Sequence, residues 1–373
     1  MKIAVLLTRI DQTGMSINTI DLCVSLSKLG HSVDLLVGDY NNSSKKLFFQ
    51  KDLLKTSEVN VINIKFSHRS ELLSKFFKVL GVLKIILFLI FKNYDVIHVE
   101  SPYLSFIPWL IRKKFVSTMH VPDLENIFAY KNATRVIAIS KETKEYCVDK
   151  FGYKENQIDL VYHGVNERFY QPISANEEKT MKQNYGISQN DILIGLVASI
   201  ERRKGQDILI NAIENLNQEI RRKVKLVLLG SYKSGSNGWL ENLINSSSIS
   251  NQIIWEQYQD PKPFYNIIDI FVLPSRLEGF PLVSLEAMLS GCLVIRSNTE
   301  GSHEQIIDGL NGFLFENENS TELTKILSYI LENESLLVNM RNFSKTYAFK
   351  NFTQAVMAKN TLKVYEKLKN IKL

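Results

Sequence analysis

The stretch IIDIFVLPSRLEGFPLVSLEAMLSGCLVIRS, residues 267–297, sets the fold. Its apolar start has the length and β-branched content of a buried strand. Pro281 suits the first turn of a helix, where its missing N–H costs nothing. Ser290 and Gly291 end that helix, with the glycine taking the left-handed cap. CLVIRS (292–297) then reads as the next strand. The order is strand, tight loop, helix, strand, with Glu278 in the loop and Glu286 in the helix. In open parallel sheets, loops at the carboxyl ends of strands are where ligands bind. The helix start there offers the N–H groups of Leu282, Val283 and Ser284 to an anion. Two glutamates near a helix start also complement its dipole without any function, so the spacing alone leaves both readings open.

The same alternation extends in both directions. In the first half, strands are expected at 2–8, 32–38, 59–64, 95–100, 115–120 and 135–140. Helix-length segments lie between them, among them 16–29, 102–112 and 141–150. Strands alternating with helices predict a parallel sheet covered on both faces. A polar segment at 171–191 reads as a linker with one short surface helix. Beyond it, strands are expected at 192–199, 224–230, 252–256, 268–274, 292–297 and 312–315, with a helix from about 204. From about 320 the chain reads as helical throughout. A length of 373 residues also favours two cores over one. The expected division is 1–170, 171–345 and a final helix over 346–373 that packs on the first domain.

Composition narrows the class. The chain is 45% hydrophobic and 23% charged, as soluble globular proteins are, with a formal net charge of +6. No cluster of basic residues interleaved with aromatics suggests nucleic acid. Cys23, Cys147 and Cys292 are far apart and form neither a CxxC pair nor a Cys/His cluster, so they read as buried reduced thiols of a cytoplasmic protein. The apolar run at the N-terminus is too short for a signal peptide and reads as a first strand. The segment ELLSKFFKVLGVLKIILFLIFK (71–92) is broken by Lys75, Lys78, Lys84 and Lys92, too often for a membrane span. It reads either as a helix covering the sheet or as a basic apolar helix resting on an anionic membrane surface.

Several nucleotide motifs are excluded. The turn after the first strand, TRIDQTGMS, has the single Gly14 and not the G-x-G-x-x-G of a dinucleotide site. GSYKSGSNG (230–238) has glycines at Walker spacing but lacks the following Lys-Ser/Thr. There is no G-x-S-x-G elbow and no D-x-D pair to hold a divalent metal on a diphosphate. What remains is a set of ordinary features in a telling order. Lys204 and Gly205 open a helix after the first strand of the second half, where a lysine can reach a phosphate. Arg202, Arg203 and Lys204 also fit a solvated charge run. Gly301 permits close backbone approach, and Glu304 follows it in a short helix. His120 closes the strand FVSTMH, at a carboxyl strand end, although a lone histidine is more often structural.

Taken together, PSRLEGFPLVSLEAMLSG resembles the E-x7-E segment of the retaining nucleotide-sugar glycosyltransferases of the GT-B fold, the large family 4 group. Gly14 with LGHSVDLLVG is similar to that family's N-terminal region. RVIAISKETKEYCVDKFG with VYHGVNERF is similar to its approach to the domain hinge, and SNTEGSHEQIIDGLNGFLF to the segment after the E-x7-E helix. The resemblance implies an α/β GT-B fold: two Rossmann-like doubly wound domains facing a cleft, with a C-terminal helix crossing back to the N-terminal domain. It implies a metal-independent transferase using a nucleoside-diphosphate sugar, with UDP the expected nucleotide. A glycan or lipid-linked acceptor in surface polysaccharide assembly is expected, at the inner face of the membrane. No cofactor is expected.

By the same resemblance, Glu286 accepts the ribose hydroxyls, and Leu282, Val283, Lys204 and Arg203 surround the diphosphate. Glu278, with the backbone of Gly279 and Phe280, faces the donor sugar. His120 approaches the sugar from the first domain. Gly14 leaves room beside the phosphate, and Glu100 and Ser101 lie on the acceptor side. The chain departs from the family at Ala198-Ser199-Ile200, where Gly-Arg-Leu is usual, and at Thr13-Gly14, where a Gly-Gly pair is common. Arg202 or Arg203 is then the candidate replacement for the phosphate arginine. Two other readings stay open: a nucleotide-sugar-binding protein without turnover, and a GT-B sugar-nucleotide epimerase.

Overall fold

A computed structural model describes residues 1–11, 13–38, 48–66, 71–120, 124, 130–188, 190–232 and 238–371. The glycine-rich stretch 230–238 therefore lies partly outside the described residues, as do the two residues that follow His120. The described chain forms two compact units. The first comprises Met1–Gly164 and Gln354–Leu373, and the second comprises Val165–Thr353. The crossings thus fall at 164/165 and 353/354, not at the 170/171 and 345/346 boundaries expected from the sequence. At both crossings the backbone is tied into the second unit, where Val165 N donates to Phe352 O at 2.8 Å.

The first unit contains β1 (Lys2–Leu7), α1 (Gly14–Lys28), β2 (Ser32–Gly38), α2 (Phe48–Lys55), β3 (Asn60–Ile64) and α3 (Glu71–Phe91). It continues with β4 (Val96–Val99), α4 (Phe106–Leu110), β5 (Val116–Met119), β6 (Arg135–Ala138), α5 (Lys141–Phe151) and β7 (Ile158–Leu160). The strands form one parallel sheet of order β3-β2-β1-β4-β5-β6-β7. β7 is a strand that the sequence reading lacks; it is only three residues long, with too little pattern to stand out. The segment 102–112 is not one helix but a 3-10 turn at Pro102–Leu104 followed by α4. Pro108 has no N–H to return to Leu104, and Arg112 ends the segment with a φ of 52°.

Alternate residues of each strand feed different cores, as the pleat requires. Ile3, Val5 and Leu7 pack with Val33, Leu35, Cys23 and Leu26 on the face that α1 covers. Ala4, Leu6, Ile97 and Val99 pack with Ile85 and Leu89 of α3 and Ile107 of α4 on the other.

The second unit begins with α6 (Ala175–Asn184), β8 (Ile192–Val197), α7 (Gln206–Glu214), α8 (Gln218–Arg221), β9 (Val224–Leu229), α9 (Trp239–Ser246), β10 (Ile253–Glu256) and α10 (Lys262–Ile267). It ends with β11 (Ile270–Leu273), α11 (Leu282–Ser290), β12 (Leu293–Ser297), α12 (Ser302–Gln305), β13 (Gly312–Phe315), α13 (Ser320–Leu331) and α14 (Glu334–Asn351). Its sheet is parallel, of order β10-β9-β8-β11-β12-β13. The order reverses direction between β8 and β11, which makes their carboxyl ends the switch point where such sheets bind ligands. After α14, the last helix α15 (Gln354–Asn370) returns to the first unit. There Met357, Val364, Tyr365 and Leu368 join the α1-side core. At roughly 1.5–3 kcal/mol for each buried apolar side chain, α15 is part of that core and not a tail.

Candidate active site

The second unit builds its candidate site around the switch point. The loop after β8 carries Ser199 to Gly205, and the loop after β11 carries Pro274 to Pro281. Gly205 has a φ of +73°, and a Cβ there would lie 2.0 Å from the Pro274 carbonyl oxygen. Only glycine lets these two loops approach so closely. The approach brings Lys204 Nζ to 2.5 Å from Glu278 Oε1, with both side chains largely buried. The resemblance gave these residues separate partners, phosphate and sugar; in the structure they also neutralise each other. Gly301 repeats the device on the far side of the loop. Its φ is +68°, and a Cβ would lie 2.5 Å from the Gly279 carbonyl oxygen.

The start of α11 is held from behind. The buried guanidinium of Arg296 donates from Nη1 to Gln305 Oε1 at 2.5 Å, and Gln305 Nε2 donates to Pro281 O at 3.1 Å. Pro281 is the residue just before the helix, extended at φ −66° and ψ 126°, one position earlier than the sequence reading placed it. The N-cap residue Pro281 makes no side-chain hydrogen bond to this end, and no acidic residue lies in the first turn. The amides of Leu282 and Val283 therefore keep the capacity to meet an anion. Phe280 is buried beside them, its ring centroid 6.0 Å from that of Phe352.

Glu286 lies farther along α11, buried, with Oε2 accepting a hydrogen bond from the Tyr265 hydroxyl at 2.9 Å. Burial raises its carboxyl to about 7, against the opposing pull of Tyr265 and the Arg168 guanidinium. Arg168 itself is held in a fork on Asp260, with distances of 2.9 and 2.6 Å. A half-ionised buried carboxylate beside a hydroxyl is suited to receive hydroxyl donors from a ligand. Neither Tyr265 nor the Arg168–Asp260 pair was anticipated. They lie 21 and 92 residues from their partners, and packing alone brings them together.

Ser199, at the position where the family usually has arginine, donates its hydroxyl to Glu201 Oε1 at 2.7 Å. Arg203 is bound to the Leu277 carbonyl at 2.8 Å and to Glu201 at 3.1 Å. It therefore fastens the Glu278 loop from outside. Arg202 is exposed, and its carbonyl accepts from Arg276.

In the first unit, Glu100 and His120 follow the adjacent parallel strands β4 and β5 and point to the same face. His120 Nε2 donates to Glu100 Oε2 at 2.6 Å, and its Nδ1 lies 3.1 Å from His163 Nε2. Both ring nitrogens of His120 are thus engaged. His98 lies two residues before Glu100, with Nδ1 2.7 Å from the Tyr365 hydroxyl and Nε2 2.7 Å from Thr118 Oγ1. Burial lowers the His98 imidazole despite the carboxylate beside it. Burial by itself would raise Glu100, but the surrounding imidazoles of His98 and His120 more than offset it and hold the carboxyl at about 2. Ser101 accepts from Thr8 N at 2.9 Å and braces the end of β1. Gly14 opens α1, whose approach is knotted by Asp11 Oδ1 accepting from Thr13 N at 3.0 Å and Ser16 Oγ at 2.9 Å. His98, Thr118 and His163 escaped the sequence reading. The i, i+2 spacing His98/Glu100 and Thr118/His120 on neighbouring strands was the available sign.

Comparison with known proteins agrees with this architecture. The family model for glycosyl transferases group 1 matches residues 177–347, and that for glycosyltransferase family 4 matches residues 13–169. An uncharacterized glycosyltransferase of Methanocaldococcus jannaschii, MJ1607, is 24% identical, covering 95% of this chain and 94% of that one. The N,N'-diacetylbacillosaminyl-diphospho-undecaprenol alpha-1,3-N-acetylgalactosaminyltransferase of Campylobacter jejuni is 26% identical over 65% of this chain and 63% of its own. Among solved structures, Anabaena Alr3699/HepE in complex with UDP-glucose superposes with a TM-score of 0.80 at 21% identity, covering 100% of both chains. With two doubly wound parallel sheets, a final helix that rejoins the first, and both halves matched, the chain belongs to the group 1, family 4 glycosyltransferases of the GT-B fold.

Proposed function

We propose that the chain moves a sugar from a nucleoside-diphosphate sugar, UDP-linked, to a glycan or lipid-linked acceptor, with retention at the anomeric carbon and without a metal. The observation that carries this reading is the Lys204–Glu278 pair at the carboxyl ends of β8 and β11, beside the uncapped start of α11. In the reaction, Lys204 and the amides of Leu282 and Val283 hold the diphosphate and stabilise its negative charge as it departs. Lys204 exchanges part of its contact with Glu278 for the phosphate. Glu278 and the backbone of Gly279 and Phe280 take the sugar hydroxyls, and Glu286 takes the ribose. Within the first unit, His120, oriented by Glu100, is the proposed catalytic histidine. Attack from the leaving-group face through an oxocarbenium-like state accounts for retention. The UDP-glucose complex of Alr3699/HepE and the diphospho-undecaprenol acceptor in the name of the Campylobacter relative support the donor and acceptor classes. The same reading places the transfer in surface polysaccharide assembly.

The test is thermal unfolding against UDP, GDP, ADP, CMP and their sugar conjugates in EDTA, followed by transfer assays with the stabilising donor. A ligand at 100 times its dissociation constant stabilises by about 2.7 kcal/mol. One nucleoside diphosphate should stand out, and its sugar conjugate should turn over with acceptor. The engagement of Ser199 with Glu201 favours one second reading, nucleotide-sugar binding without turnover. Stabilisation without release of free nucleotide would select it.

A further inference from the structure

α3 is apolar on two opposite faces. One face, with Ile85 and Leu89 fully buried, packs on the sheet. The other carries Phe76, Val79, Leu83, Leu87, Ile90 and Phe91, each between 42 and 76% exposed. Their spacing of i, i+3, i+7, i+11, i+14 and i+15 gathers them into one stripe about 120° wide and about 22 Å long. α4 packs beside α3 and adds Trp109 and Leu110, 53 and 57% exposed. An amphipathic helix that only covered a sheet would be polar on its outer side. Isolated exposed apolar residues need no explanation, but a stripe running the length of one helix, with two more exposed apolar residues on the helix beside it, does.

The charge around the band identifies what covers it. Between residues 72 and 120 the sequence has seven Lys or Arg and only two acids, Asp95 and Glu100. Glu100 is buried in the histidine cluster, and Asp95 accepts from the backbone of Lys2. Lys75 and Lys84 flank the stripe on its two sides, and Arg112 and Lys113 follow α4. Lys131 stands over the Trp109 ring, 5.0 Å from its centroid. Two copies meeting through this band would bring like-charged rims together. No helix among the described residues is long and apolar enough to cross a membrane.

We propose that α3 and α4 together form a docking surface for an anionic lipid bilayer. The exposed stripe and Trp109 enter the interfacial layer, and the basic rim meets the headgroup phosphates. This goes beyond the transfer reaction and does not depend on it. Lipid binding is measured without any sugar, so its failure leaves the transferase reading intact.

The experiment is flotation of the full chain with extruded phosphatidylcholine vesicles, with and without anionic phosphatidylglycerol, at low and high salt. The chain should float with the anionic vesicles at low salt, and less at high salt. The double variant Leu83→Asp, Leu87→Asp changes only exposed positions, and its unfolding midpoint should match the parent's. It should partition at least tenfold more weakly. Brominated lipid should quench the part of the fluorescence that Trp109→Phe removes. Failure of the parent to float with anionic vesicles at low salt would overturn the proposal, as would equal flotation of the double variant. So would self-association in sedimentation that the double variant abolishes while neither protein binds vesicles, because a second copy would then be the occupant.

Discussion

The proposed contact between Glu286 and the nucleotide ribose makes donor binding a proton-linked event. With the carboxyl at about 7, roughly half of the unliganded molecules carry a proton there at pH 7. Two ribose hydroxyls are accepted more strongly by the ionised form, which has no O–H of its own and gives charge-assisted hydrogen bonds. Binding therefore expels the proton. For a group at about 7, affinity should be about tenfold weaker at pH 6 than at pH 8, and about half a proton should leave per nucleotide bound at pH 7. Titration calorimetry with a nucleotide sugar, in two buffers of different ionisation enthalpy, measures both. The sugar conjugate is the proper probe because its diphosphate has no terminal monoester to titrate in this window.

Stability runs the opposite way. The folded value of about 7 lies above the ordinary 4.5, so the native state holds the extra proton. This group's contribution is fully present below about pH 4.5 and is lost as pH rises through about 7, a change on the order of 3 kcal/mol. Glu286→Gln should flatten both curves and weaken binding. Affinity that is flat from about pH 6 to 8, or a slope that survives in Glu286→Gln, would refute the assignment.

Other substitutions test other parts. Lys204→Ala should lose roughly 1.5–3 kcal/mol of nucleotide affinity by calorimetry, the worth of one charge-assisted phosphate contact; a loss within error returns Lys204 to a purely structural role. Glu278→Gln should abolish transfer while leaving nucleotide affinity nearly intact, and unchanged turnover would remove Glu278 from the sugar site. Gly205→Ala forces a Cβ against the Pro274 carbonyl at positive φ, and should cost about 1–3 kcal/mol in urea unfolding of the second unit. Glu100, held at about 2 and so below its ordinary 4.5, adds stability that is present above about pH 4.5 and fades as pH falls toward 2. Glu100→Gln should remove that dependence and change the His120 ring-nitrogen shifts in NMR; unaltered shifts would detach Glu100 from His120.

Much of the fold was written in local patterns. Every strand expected from an apolar run is present within a residue or two, because a strand buried on both faces must be apolar along its length. β7 was missed because three residues carry no period, and 102–112 was overextended because Pro108 was not weighed as a break. Within the candidate site, glycines, the loop carboxylate and the helix start were legible, since each imposes a backbone or charge requirement on its own neighbourhood. The partners that tune them were not. Tyr265 against Glu286, Lys204 against Glu278 and His163 against His120 are long-range contacts that leave no mark on either local sequence.

The return of α15 to the first unit gives synthesis an order. The second unit is one continuous segment and can complete its core as soon as Thr353 has emerged. The first cannot, because Met357, Val364, Tyr365 and Leu368 close the face that α1 begins. At about 5–20 residues per second, roughly 10–40 s separate Gly164 from the end of α15. During that interval the nascent first unit presents an unfinished apolar face, a natural client for a ribosome-associated chaperone. A chain halted at Thr353 would keep that face open, whatever the state of its second unit.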